Sequence, residues 1–319
     1  MKKSIIRDRK FGQLIALLFY VLLGWFLYQA ASKINYTWKW DMIPKYFVYK
    51  QKIPLTSPCD GTLKITKNQA KVICDENHVV KTYNIAGYKL EFKNGEYVYQ
   101  GDEFAYKQKL EPGPFILGIW VTIKISIISM IIAFIIGLII SIMRLSGIPA
   151  LDYIGSVYVT VIRGTPLLVQ LFIFYFIVAT IFNLPRFWAG VMSLSIFYGA
   201  YIAEILRGAI QSIDKGQHEA AKSLGFTSIQ RMQLIILPQA LRKALPALVG
   251  ELISLIKDSS LVSIISITDL TKVGREIVAN TFSPFETWLT VAALYLMLTS
   301  ILSFIGHRLE KKMKAKGGI

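Results

Sequence analysis

The residues of this chain that can do chemistry are few, and most of them stand where they cost energy. Glu251 and the run Lys257-Asp258-Ser259-Ser260 interrupt an apolar stretch, 240–270, that also opens on Arg242 and Lys243. A charge inside a membrane segment costs on the order of 2.5–3.5 kcal/mol on insertion scales, so such residues pair with one another or line a cavity. Two readings stand: a Lys257–Asp258 pair at the outer interface, or a polar site of the kind transporters build where a membrane helix is broken. Glu204 and Arg207, three residues apart near the end of another apolar run, share one helical face, and an internal ion pair is their expected role. The third polar concentration is 214–238, with Glu219-Ala220-Ala221, Gly225 and Leu237-Pro238. Helix formers, then a glycine suited to a left-handed cap, then a proline that limits how the next helix begins predict helix, turn, helix. Such a segment is either a compact knob held out for a partner or an ordinary amphipathic loop.

Other chemistries lack their residues. The two cysteines, Cys59 and Cys74, form no C-x-x-C pair, and the three histidines, His78, His218 and His307, are scattered, so no metal site is expected. There is no G-x-x-x-x-G-K-[ST] phosphate loop and no G-x-S-x-G elbow. No catalytic residue and no bound cofactor are therefore expected, and the energy for any work comes from elsewhere.

The elements that must hold these residues are membrane helices. The chain has 319 residues, 54% hydrophobic and only 18% charged. Several apolar runs reach the roughly 20 residues that cross a hydrocarbon core of about 30 Å. The net charge of +16 sits mainly at the ends of those runs, which argues for membrane orientation rather than nucleic acid. Residues 1–31 read as a basic cytoplasmic start and a retained signal-anchor helix, because 11–31 is uncharged, long and without a small-x-small cleavage site. Residues 32–113 read as a small extracytoplasmic β-rich insert. Short β-favouring runs at 62–66, 71–74, 88–92 and 97–99 are separated by the turn signals Asp60-Gly61, Asn94-Gly95 and Gly101-Asp102. Outside the cytoplasm Cys59 and Cys74 are free to bridge adjacent strands; two buried thiols are the alternative.

Further spans are expected at 115–143, 163–182 (after a surface-lying helix at 151–162), 185–207, 240–270 and 285–305, followed by a basic cytoplasmic tail, 309–319. The expected fold is thus an all-α polytopic membrane protein with six transmembrane helices and both termini cytoplasmic. Its transmembrane domain is 114–308, and the polar segment at 214–238 returns to the cytoplasm.

These residues carry a family likeness. Glu219-Ala220-Ala221, Gly225 and Ile236-Leu237-Pro238 look like the EAA loop of type I ABC importer permeases. Three further stretches are similar to the polar amino-acid branch of that family, the glutamine, glutamate, histidine and arginine class. They are Arg163-Gly164-Thr165-Pro166-Leu167-Leu168-Val169-Gln170, Ala200-Tyr201-Ile202-Ala203-Glu204-Ile205-Leu206-Arg207-Gly208, and Leu237-Pro238-Gln239-Ala240-Leu241-Arg242 leading to Lys257-Asp258-Ser259-Ser260-Leu261. The resemblance covers about 115–307. It implies a five-helix permease core behind the signal anchor, with a coupling helix at about 214–231 seated in a separate ATPase subunit that uses ATP and Mg. Glu219 would pair with donors of that subunit and Gly225 would permit the turn, with Ala220, Ala221, Leu237 and Pro238 completing the coupling segment. An extracytoplasmic solute-binding protein and a second permease copy, identical or a sister, are the other implied partners in the cell membrane. Gln170, Glu251, Lys257, Asp258 and Ser259 would line the pathway and meet α-amino and α-carboxyl groups. Nothing in the resemblance accounts for the first 113 residues. A membrane sensor whose ligand binds 32–113, and a carrier driven by an ion gradient, are the competing classes.

Overall fold

The computed structural model describes residues 9–33, 36–76 and 80–315; His78 and the outermost basic residues at both ends lie outside it. Two units emerge, Met1–Met42 and Ile43–Ile319. The first is dominated by helix α1, Arg9–Ser32, whose stretch Phe11–Ala30 is long and apolar enough to cross a membrane.

The second unit is built on helices. Helix α2 (Pro114–Leu145) and α3 (Pro149–Gly164) each start on a proline, whose missing N–H has no partner in a first turn. Helix α4 (Leu167–Ile173), a π-turn (Phe174–Val178) and α5 (Ala179–Ile181) continue as one rod, bent from α3 by 107° at Thr165-Pro166. Then come α6 (Arg186–Gln211), α7 (Lys215–Ser223), α8 (Ser228–Arg231), a second π-turn (Met232–Ile236) and α9 (Leu237–Asp258). A 3₁₀ turn (Ser259–Ile265), α10 (Leu270–Thr281) and α11 (Pro284–Ala315) complete the order.

By length and composition α1, α2, α6 and α11 suit a membrane span, and the bent pair makes a fifth. Helix α9 falls short because it carries Arg242, Lys243, Glu251, Lys257 and Asp258. Three boundaries differ from expectation. The fourth core helix ends at Asp258 rather than running on towards 270, α10 is a helix of its own, and α11 carries the described part of the basic tail as helix to Ala315.

Packing is inverted relative to a water-soluble bundle. The outward face of α2 shows Trp120, Ile127, Ile131, Ile135 and Ile139, each at least half exposed. Its buried face is small and polar: Gly118, Thr122, Ser126, Ser129, Ala133, Gly137 and Ser141. These let α6 approach closely, as membrane helices require in the absence of a hydrophobic drive between them. A Cβ at Gly137 would stand 2.6 Å from the Ile202 side chain. Ser195 Oγ donates to the Val191 carbonyl at 2.7 Å and reaches the Ser129 carbonyl at 3.3 Å.

Between α1 and α2 lie seven antiparallel strands: β1 Val48–Thr56, β2 Gly61–Thr66, β3 Gln69–Cys74, β4 Val80–Asn84, β5 Lys89–Leu90, β6 Tyr97–Val98 and β7 Glu103–Pro112. They form a three-stranded sheet, β1-β7-β5, and a four-stranded sheet, β4-β3-β2-β6, over a core of Leu63, Ala70, Val72, Val98 and Phe104. Cys59 and Cys74 form a disulfide with Cα atoms 5.7 Å apart. Asp60-Gly61 is not a hairpin turn as expected: Gly61 lies inside β2, pressed against the Ile73 carbonyl where no Cβ fits. Val48 pairs with Pro112, so the strands leave and re-enter the helical part side by side. At that root Gly113 N–H donates to the Phe47 carbonyl at 2.6 Å, and Ile43, Tyr46 and Phe47 pack on Phe115 beside Leu270 and Val273.

Candidate functional site

The polar segment folds as the sequence predicts, and each bend has a cause. Asp214 caps α7 by accepting from Gly216 N–H at 2.7 Å. The helix ends in a Schellman turn: Phe226 N–H donates to the Ala221 carbonyl at 3.1 Å and Gly225 N–H to the Lys222 carbonyl at 3.0 Å, with Gly225 at φ +81°. Thr227 and Gln230 then close a capping box on α8. The π-turn that follows sits four residues ahead of Pro238, whose missing N–H leaves the Leu234 carbonyl without its ordinary partner. Glu219, Ala220 and Pro238 are exposed, Leu237 is half-buried and Ala221 is buried.

Behind this exposed face the segment is tied to two long helices. Gln239 of α9 donates to Gln217 of α7 at 3.1 Å, and Lys243 Nζ of α9 donates to the Ser212 carbonyl at the end of α6 at 3.0 Å. Ile210 and Ile213 pack on Ile236 and Ala240. The Glu204–Arg207 pair is formed, with Arg207 Nη2 2.8 Å from Glu204 Oε2. It is part of a larger network, since Arg144 at the end of α2 also contacts Glu204 and lies 3.7 Å from Asp152 of α3. Gly155 makes room for it, because a Cβ there would stand 2.6 Å from Arg144 Cγ. Three helices are thereby joined near the polar segment.

Further along the same helices a second cluster forms. Tyr198 of α6, nearly fully buried, donates its hydroxyl to Asp258 Oδ2 of α9 at 2.6 Å. Glu251 is half-buried and within electrostatic reach of both Arg163 and Asp258. The Arg163 guanidinium stacks 5.0 Å from the Tyr201 ring centre, which is itself 6.4 Å from that of Tyr198. This arrangement offers cationic, anionic and hydroxyl groups on three converging elements, the set needed to hold an ammonium and a carboxylate together.

The five pathway candidates divide. Asp258 and Glu251 are in this cluster. Gln170 is 4% exposed, and its amide donates to the Ile162 carbonyl and Thr165 Oγ1 at 2.8 and 2.7 Å, holding the bend between α3 and α4. Ser259 is buried and bonds the Ile256 carbonyl at 2.8 Å. Lys257 is exposed, and among the described residues no Lys257–Asp258 ion pair is present. Arg163, Tyr198 and Tyr201 are the residues sequence reasoning passed over; two tyrosines one turn apart inside an apolar run were the available signal. Among the described residues no cluster of metal-ligating side chains is present.

Comparison with known proteins gives a consistent likeness. The family described as binding-protein-dependent transport system inner membrane component matches residues 133–315. The arginine transport system permease protein ArtQ of Bacillus subtilis (strain 168) is 40% identical over 205 residues, covering 63% of this chain and 94% of that protein. The glutamine transport system permease protein GlnP of Escherichia coli (strain K12) is 42% identical over 200 residues, covering 62% and 91%. A solved structure described as an amino acid ABC transporter with histidines aligns with a TM-score of 0.58 at 40% identity, over 62% of this chain and 94% of that one. The MetNI methionine ABC transporter, at 22% identity and a TM-score of 0.56, shares the fold.

Proposed function

Because the chain belongs to the family of binding-protein-dependent transport system inner membrane components, we propose that it is the permease subunit of an ATP-driven ABC importer for polar amino acids. The observation that carries this reading is the capped helix–glycine turn–helix at 214–238, held outside the apolar helices yet tied to α6 and α9, within a chain whose relatives are named as arginine and glutamine permeases. The chain is a transport component, and a separate ATPase subunit supplies hydrolysis of ATP with Mg. Glu219 and Ala220 face that subunit, Ala221, Leu237 and Pro238 anchor the segment, and Gly225 sets its turn.

In this reading α9 is the sixth span, both termini are cytoplasmic and the β-sheet module is extracytoplasmic, where its disulfide is at home. Two permease copies enclose one pathway, and a solute-binding protein delivers the amino acid from outside. Asp258 and Glu251 receive its α-ammonium and Arg163 its α-carboxylate. Closure of the ATPases moves the segment as a rigid body and switches the pathway between outward-open and inward-open states.

The test is reconstitution of the chain with its ATPase and binding protein, followed by uptake of labelled arginine, glutamine and histidine. Accumulation that requires ATP is the expected result. Accumulation driven by an ion gradient without nucleotide, or ligand binding to 32–113 without transport, would overturn it.

A further inference from the structure

A cavity of about 620 Å³ lies between the end of α2 and the polar segment. Its walls include Leu138 and Ile142 of α2 and Met232 and Ile236 of the second π-turn, while Arg231 and His218 supply cationic and imidazole groups. The size suits a small-molecule ligand rather than a packing defect. Among the described residues Arg231 has no carboxylate partner; its guanidinium reaches only Ser228 Oγ, at 3.5 Å. Helix α2 is long and apolar enough to span, so its end fixes the cavity at the boundary of the hydrocarbon layer.

We propose that this cavity binds an anionic phospholipid, its phosphate against Arg231 and an acyl chain along Leu138 and Ile142. A water-soluble anion would leave the apolar walls unfilled, and a wholly apolar ligand would leave the arginine unpaired. A ligand that satisfies both carries a phosphate and a hydrocarbon chain, and it is present wherever the protein is. The alternative occupant is a segment of the ATPase. The lipid is favoured because His218 lines the cavity while Ala220, two residues on and about 200° around α7, is exposed on the other side. Lipid and ATPase therefore hold opposite faces of one helix. Anionic lipid then stiffens the coupling segment, a consequence that rests on the function proposed above, whereas the binding itself does not.

The test uses the full-length chain alone in detergent, with native mass spectrometry to count retained phosphatidylglycerol against phosphatidylcholine. The wild type is expected to prefer phosphatidylglycerol. Arg231→Gln should weaken that preference about tenfold, the loss of one charge-assisted contact, while Arg231→Lys keeps most of it. Ile142→Trp, which fills the cavity, should lower retention of both lipids with the unfolding temperature unchanged. Equal retention of the two lipids by the wild type, or an unaltered preference in Arg231→Gln, overturns the proposal. Weaker ATPase association in Arg231→Gln with lipid retention intact assigns the cavity to the ATPase and overturns it as well.

Discussion

Substitution of Gly225 separates the coupling turn from everything else the chain does. The residue sits at φ +81° in the Schellman turn, and a Cβ built there meets no atom within 4 Å. Steric exclusion is therefore absent, and the penalty is the backbone conformation alone. For alanine in the left-handed region that is roughly 1–2 kcal/mol. A β-branched residue lies at the upper end of the range for strained backbone, about 3 kcal/mol. Asparagine tolerates the conformation and costs least. At 1.4 kcal/mol per factor of ten, the turned conformation is disfavoured about tenfold by Gly225→Ala and about a hundredfold by Gly225→Val. The assay is uptake and ATP hydrolysis in vesicles holding the chain, its ATPase and its binding protein. Transport per ATP should fall in the order asparagine, alanine, valine, with the chain still inserted in the membrane. Full uptake by Gly225→Val would refute the coupling role. Equal damage from Asn and Val would show that bulk at a partner surface, not φ, sets the effect.

Glu204→Gln leaves the Arg144 and Arg207 guanidiniums facing each other across three helices. Because these side chains remain 17–28% exposed, a loss of about 2 kcal/mol is expected rather than the larger penalty of a fully buried charge. An unchanged unfolding temperature in detergent would show that the network is ornamental. Asp258→Ala should cut ATP-driven uptake at least about tenfold, the scale of one lost charge-assisted hydrogen bond, whereas Lys257→Gln should leave it near normal. Undiminished uptake in Asp258→Ala would remove that residue from the pathway. In the β-sheet module Tyr97 donates to Asp75 at 2.5 Å, which pushes its hydroxyl up to about 12 from 10.0. The raised value means that the bond's contribution is complete below pH 10.0 and is lost as pH rises through about 12. Tyrosinate absorbance should show one late-titrating phenol that returns to the ordinary range in Asp75→Asn; its persistence there would disprove the assignment.

Local chemistry was legible where one segment sufficed to decide it. The capping aspartate, Gly225 and Pro238 predicted the fold of 214–238, and uncharged runs predicted α1, α2, α6 and most of α11. Helix α10 was readable too: Asp269 caps it, and Leu270, Val273, Gly274 and Ile277 form its buried stripe, but the apolar run before it drew the boundary too late. Strands β1 and β7 were missed for a different reason. Pro54 and the lysines of 103–112 weaken their local signal, and their nine-residue ladder joins residues far apart in the chain, where register is set by the partner strand. The same holds for Arg144 with Glu204 and Tyr198 with Asp258, each pair 60 residues apart. A sequence shows that a buried charge needs a partner without showing which helix provides it.

Those long-range bonds also give the polar segment its leverage. Helices α6 and α9 are each attached at one end to 214–238, through Lys243–Ser212 and Gln239–Gln217, and to each other farther along through Tyr198–Asp258. From Leu237 to Asp258 the α9 rod covers roughly 30 Å, at 1.5 Å per residue. A helix of that length moves as a unit, so a displacement imposed on α7 reaches the Tyr198–Asp258 bond with little lost on the way. Just beyond the bond the α-helix gives way to the 3₁₀ turn at Ser259, where rigidity ends and a change of angle is absorbed. The cluster of Arg163, Glu251 and Asp258 stands on the rigid side of that break. Movement of the segment therefore shifts the carboxylates of α9 relative to the arginine, and the groups that hold an amino acid together are the groups that come apart when the segment moves.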